Sequence, residues 1–132
     1  ISAMTVKNLT RADFESAIVG NPMVLVDFWA AWCGPCRAFA PVFERSARDH
    51  PDIVHAKVDV DAERELAAAA GIRSVPTIMA FRDGIAVYSQ PGAMPADLLK
   101  DFIGRLKALD MATVRANTPR PNPAPRPNAR RC

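Results

Sequence analysis

An α/β fold, with helices on both faces of a mixed sheet, is predicted by three features of the chain. Short runs of strand-forming residues alternate with helical segments along most of its length. Residues 23–30, Met23-Val24-Leu25-Val26-Asp27-Phe28-Trp29-Ala30, are nearly all apolar, the pattern of a central strand covered on both sides. Late in the chain, Arg82-Asp83-Gly84 separates two further strand-like runs, and an Asp-Gly turn there marks an antiparallel hairpin.

The elements follow in order. A short strand is expected over residues 4–6, with Met4 read as the natural start, and then a helix through about Val19, entered by Thr10 and Asp13 in a capping-box spacing and stopped by Asn21-Pro22. After the central strand, residues 33–49 place Phe39, Val42, Phe43 and Ala47 on one helical stripe, although Pro41 should kink that helix. Residues 53–60 read as another buried strand. Asp61, Glu63 and Glu65 then place acids at the positive end of a short alanine-rich helix ended by Gly71. Strands over 77–81 and 85–88 form the hairpin. From Pro95 onward, Leu98, Leu99, Phe102, Ile103, Leu106 and Leu109 make an amphipathic final helix.

A chain of 132 residues, 49% of them apolar, is about one domain and fills a core without disulfide staples. The expected division is a folded domain over residues 1–111 and a disordered Pro/Arg-rich tail over 112–132. The net charge of +3 belongs to that tail: five of the seventeen Lys and Arg lie beyond Ala112, leaving twelve basic against fourteen acidic residues before it. Prolines at 119, 121, 123, 125 and 127 bar a ladder or a helix interior. Such a tail reads as a solvated segment, with neither nucleic acid nor membrane as a partner. Three cysteines are too few for a secreted disulfide framework, no signal segment opens the chain, and no apolar run reaches the roughly 18 residues of a membrane span. A cytoplasmic location is expected.

The chemistry concentrates in Trp32-Cys33-Gly34-Pro35-Cys36, between the apolar strand and the helix that follows. Thiol reactivity belongs to the thiolate. The first turn of that helix offers unpaired N–H groups and the positive end of a dipole, so Cys33 is the expected nucleophile. Pro35 forgoes an N–H that would be unpaired there anyway. Cys36, one turn further in, is the expected resolving thiol, and it needs a proton acceptor. Asp27 is the candidate, because a carboxylate in an apolar strand is costly unless neutralised or paired, and desolvation raises its pKa toward the range useful for proton transfer. Lys57, in the neighbouring predicted strand, is placed to moderate that shift. Trp29 reads equally as core packing or as a shaper of the site.

The same spacing suits two zinc ligands, but a structural zinc takes four, and Cys132, His50 and His55 are scattered. A zinc site shared between two copies, a binding module with incidental redox chemistry, and an oxidase or isomerase stay open on these residues alone. Cys132 reads as a free, exposed thiol.

With Val26-Asp27-Phe28-Trp29-Ala30, Trp32-Cys33-Gly34-Pro35-Cys36, Pro41, Lys57-Val58-Asp59, Gly71-Ile72-Arg73, Val75-Pro76-Thr77, Phe81, Gly84 and Gly92, the chain resembles bacterial thioredoxins from about Met4 to Leu109. The Gln90-Pro91-Gly92-Ala93-Met94-Pro95 stretch is nearer the second bacterial subgroup, without its zinc segment. The resemblance implies a five-stranded mixed sheet flanked by four helices, and a monomer that reduces protein disulfides through Cys33 and Cys36 with no bound cofactor or metal. It further implies a cis bond before Pro76 and a client groove of Trp32, Gly34, Pro35, Val75, Pro76, Gly92 and Ala93. Disulfide-containing clients and an NADPH-dependent thioredoxin reductase are the implied partners. The Gly-Pro spacer is the family's reducing variant, and Pro91 departs from the apolar residue many members place there. If the helix start ionises Cys33, mass-mapped alkylation of the reduced protein is predicted to label Cys33 before Cys36; the reverse order would refute it.

Overall fold

The computed structural model describes residues 6–118. Its strands are β1 (Val6–Asn8), β2 (Met23–Trp29), β3 (Val54–Asp59), β4 (Thr77–Arg82) and β5 (Ile85–Pro91), and its helices are α1 (Arg11–Val19), α2 (Gly34–Asp49), α3 (Arg64–Ala69), α4 (Ala96–Ala108) and α5 (Met111–Asn117). The sheet order is β1-β3-β2-β4-β5, parallel across β1, β3 and β2 and antiparallel across β4 and β5. The central place of β2 explains its composition, since both of its faces are covered.

Strand side chains alternate between faces, and the two halves of the core divide accordingly. Leu25, Ile78 and Ala80 pack with Phe39 and Phe43 of α2 and with Leu99, Ile103 and Leu106 of α4. Val24, Val26, Phe28, Val58, Met79 and Phe81 pack on the other face with Phe14 and Ile18 of α1 and Leu66 of α3. Asp27 shares the parity of Leu25 and so faces α2. His55 of β3 lies on that face too, buried, with Nε2 2.9 Å from the Ser46 hydroxyl and Nδ1 3.0 Å from the Ile53 carbonyl.

Local signals act as expected at several ends. The Asp13 carboxylate accepts the Thr10 N–H at 2.6 Å and opens α1. Asp83 and Gly84, at φ 53° and 81°, supply the positive values that a primed hairpin turn demands. Helix α2 continues through Pro41, which is exposed.

Other expectations are corrected. The first strand runs past Val6 to Asn8, set by pairing with His55, Ala56 and Lys57; the expected start at Met4 lies outside the described residues. Strand β5 continues past Tyr88 to Pro91, because backbone pairing with Thr77 extends that far and a proline is tolerated at the end of an edge strand. Leu98, assigned to the apolar face of the last long helix, is 54% exposed.

Among the described residues there are five helices, one more than expected. Helix α5 occupies the first part of the segment expected to be a disordered tail; the remainder, with Cys132, lies outside the described residues. The Asp110 carboxylate accepts the N–H groups of Ala112 and Thr113, Met111 is buried, and Arg115 pairs with Asp83 at 3.2 Å. These contacts anchor the helix to the hairpin turn. Replacing Asp110 by Ala is predicted to remove the cap and release α5 while the rest of the fold persists. Amide exchange over residues 112–117 should rise to the level of an unstructured segment, and unchanged protection there would show that the cap is dispensable.

Candidate active site

The loop leaving β2 turns directly into α2, and Cys33 is the residue that caps it. Its Sγ takes the place a Ser or Asp oxygen fills in most caps, accepting the Cys36 N–H at 3.2 Å. Gly34 and Pro35 form the first turn. The two cysteines are disulfide-paired, with Cα atoms 5.2 Å apart. Cys33 and Cys36 are 4% and 2% exposed, so both are nearly covered and the expected contrast between them is slight in this state. When the pair is reduced, a Cys33 thiolate sits where the capping N–H and the helix dipole favour negative charge.

Val75 and Pro76, joined by a cis peptide bond, bring a second loop to the thiols. The Val75 carbonyl oxygen lies 3.7 Å from the Cys33 sulfur. A third loop is tied to the second, since the Gly92 N–H donates to the Pro76 carbonyl at 2.8 Å. Gly92 has a φ of 113°, a left-handed value that favours glycine, and Ala93 beside it is exposed. Trp32 is 69% exposed, with its indole N–H donating to the Asp61 carboxylate at 2.9 Å. The residues expected to form a client groove thus converge, apart in sequence, on the carboxyl edge of β2.

Asp27 is fully buried beneath this edge, and neither carboxylate oxygen has a hydrogen-bond partner among the described residues. It pairs in register with Ile78 on one side and Lys57 on the other. Since Phe39 of α2 packs in the same layer as Ile78, and Cys36 precedes Phe39 by one turn, α2 carries Cys36 toward the sheet face that bears Asp27. Burial pushes the Asp27 carboxyl up from its ordinary 3.8 to about 7, and the Lys57 charge opposes the rise. Lys57 forms no ion pair with it. Its ammonium instead lies 4.4 Å from the centroid of the Trp29 ring.

Two contacts escaped the sequence reading. Asp61, expected near the start of the third helix, also orients Trp32; its position two residues after β3, at the sheet edge that carries the cysteines, is the available signal. The Arg37 guanidinium donates to the Ala31 carbonyl at 2.9 Å and spans the loop from outside, with no signal in the sequence. Among the described residues no group of three or more His, Cys, Asp or Glu could hold a metal ion. No described helix is long and apolar enough to cross a membrane.

A vicinal cysteine pair at the start of a helix, at the edge of an open sheet and above a buried carboxyl, defines a dithiol–disulfide exchange centre. The thioredoxin family model matches residues 5–105. A Streptomyces coelicolor protein designated thioredoxin 2 is 50% identical over 107 residues, covering 81% of this chain and 80% of the relative. Thioredoxin of Alicyclobacillus acidocaldarius is 47% identical over 93 residues, or 70% and 89% of the two chains. Among solved structures, a mutant thioredoxin from Halobacterium salinarum superposes with a TM-score of 0.74 at 38% identity, covering 79% of this chain and 92% of its own. The chain belongs to the thioredoxin family. It is a thiol–disulfide oxidoreductase that reduces protein disulfides through the Cys33–Cys36 pair.

The raised Asp27 pKa links stability to pH. The folded carboxyl holds its proton up to about pH 7, whereas the unfolded one releases it near pH 4. Relative to the ionised state, the proton's stabilising effect is complete below about pH 4, where burial costs the fold nothing through ionisation; it is lost as pH rises through about 7, and that loss amounts to about 4 kcal/mol. Asp27→Asn, which cannot ionise, is predicted to raise the urea midpoint at pH 8 and to change it little at pH 4. A stability difference of equal size at both pH values would contradict the buried-carboxyl account.

Proposed function

We propose that Cys33 is the attacking thiolate, Cys36 the resolving thiol and Asp27 the acceptor of its proton, with Lys57 moderating the basicity of Asp27. Cys33 Sγ attacks one sulfur of a client disulfide, breaking that bond, releasing one client sulfur as thiolate and forming a mixed disulfide. The Cys36 proton passes to Asp27. The Cys36 thiolate then attacks Cys33 Sγ, the mixed disulfide breaks, and the second client sulfur leaves as thiolate. Protons from the carboxyl and from water complete the client dithiol, which has gained two electrons while Cys33 and Cys36 have become a disulfide. The observation that carries this reading is the Cys33 sulfur in the capping position of α2, where a leaving or attacking sulfur keeps its charge at low cost.

Trp32, Gly34, Pro35, Val75, Pro76, Gly92 and Ala93 form the surface against which an extended client segment lies in this proposal. Support comes from the exposure of Trp32, from the Val75 carbonyl beside Cys33 and from the Gly92 to Pro76 hydrogen bond that holds two rims at fixed spacing. An NADPH-dependent thioredoxin reductase returns the disulfide to the dithiol, and the protein works as a monomer in the cytoplasm without a bound cofactor. The folded unit of this proposal extends beyond residue 111 to include α5, ahead of the Pro/Arg-rich segment.

Cys36→Ser is predicted to retain clients as mixed disulfides that survive denaturing gels and vanish on adding reductant. Cys33→Ser should retain none, and neither variant should sustain insulin reduction driven by a chemical reductant. Trapping by Cys33→Ser alone would reverse the two roles, and full turnover by either variant would remove the exchange scheme.

A further inference from the structure

Trp29 has no part in the exchange scheme, but its place is unusual. It stands two residues beyond Asp27 on β2, so both side chains project from one face of the sheet. Lys57 lies directly beside Asp27 in the parallel pairing with β3, and its flexible stem is long enough to bring the ammonium to either neighbour. The ammonium is found over the indole, 4.4 Å from the ring centroid, while both Asp27 oxygens lack a partner.

A buried carboxylate attracts a nearby ammonium strongly when water is excluded, so the displaced position of Lys57 needs an opposing attraction. The indole face provides one, because a cation within about 6 Å of an aromatic centroid is drawn to the ring, most of all to Trp. Trp29 also packs against the cluster of Ala30, Cys33 and Cys36, which holds its ring in place. Both Trp29 and Lys57 are only half-buried, so the ammonium keeps part of its hydration over the ring and would lose it beside Asp27.

Other charged and titratable groups on this face are engaged elsewhere. On β3, His55 is held by Ser46 and the Ile53 carbonyl, and the Asp59 carboxylate accepts the backbone N–H groups of Asp61 and Ala62. From β4 the partner of Asp27 is the apolar Ile78, and α4 contributes Leu99, Ile103 and Leu106 to this layer. Helix α2 brings Cys36, which is tied up in the disulfide in this state.

We propose that Trp29 is a positioning residue whose ring holds the Lys57 ammonium off the Asp27 carboxylate, keeping that carboxylate basic enough to accept the Cys36 proton. The second half of this inference rests on the proposed role of Asp27. The first half does not.

The test is the titration of the Asp27 carboxyl carbon by NMR in the oxidised protein, where the paired cysteines do not titrate, with the resonance assigned by its loss in Asp27→Asn. Trp29→Leu is predicted to lower the midpoint by about one pH unit as Lys57 moves onto the carboxylate, and Trp29→Phe, which keeps a ring, by less. In a Lys57→Met background the same Trp29→Leu change should move the midpoint by less than half as much, since only water entry remains. An unmoved midpoint in Trp29→Leu, or an equal shift with and without Lys57, would overturn the positioning role. Should Trp29→Leu not fold, the Trp29→Phe shift measured in both backgrounds decides by the same comparison. Failure of the proton-acceptor reading has a different signature: Asp27→Asn would leave the pH profile of insulin reduction unchanged while the titration results stood.

Discussion

A sulfur atom in the capping position of α2 is the constraint around which this molecule is arranged. A cap must sit with its acceptor aimed at the N–H of the third helical residue, and here that residue is Cys36 itself. The helix therefore begins by placing its two thiols one turn apart, with the first able to keep a negative charge. Everything that fixes the start of α2 relative to the sheet also fixes the chemistry. Phe39 and Phe43 seat the helix on Leu25, Ile78 and Ala80, while Arg37 ties its first turns back to Ala31.

The sheet contributes a contrasting element, a carboxyl that the fold would be more stable without at neutral pH. Burial of Asp27 with no hydrogen-bond partner is the kind of local conflict that natural proteins tolerate where chemistry needs it. Both neighbouring strands matter to its behaviour. Ile78 on β4 withholds water, and Lys57 on β3 brings a compensating charge that stops short of contact. A surface aspartate at ordinary pKa would be too weak a base for a thiol at neutral pH, and an ammonium in contact with the buried one would take back part of the basicity that burial gives it.

Much of this was legible in the chain because the relevant signals are local. The lone charge in residues 23–30, the Cys-Gly-Pro-Cys spacing, the Asp-Gly turn and the stripe of Phe39, Phe43 and Ala47 each depend on residues within a few positions of one another. What escaped depends on distant partners. Helix α5 was hidden by the proline and arginine content of the segment that contains it, and it is pinned by Asp83, thirty-two residues before Arg115. The last three residues of β5, Ser89, Gln90 and Pro91, carry no strand propensity and are ordered by the backbone of β4. Lys57 is expected in the strand next to Asp27 and pairs with it in register, but the position of its ammonium over an indole depends on side-chain geometry that no periodicity reports.

The clasp between Arg115 and Asp83 also sets a direction for the polypeptide. Asp83 lies at the end of the hairpin beside Pro22, where β2 begins, whereas the thiols follow the end of β2, about 20 Å away along the strand. Helix α5, held to Asp83 through Arg115, consequently sits at the pole remote from the sulfurs. The helix that closes the described fold thus leaves the redox face unobstructed, with the sheet itself acting as the spacer.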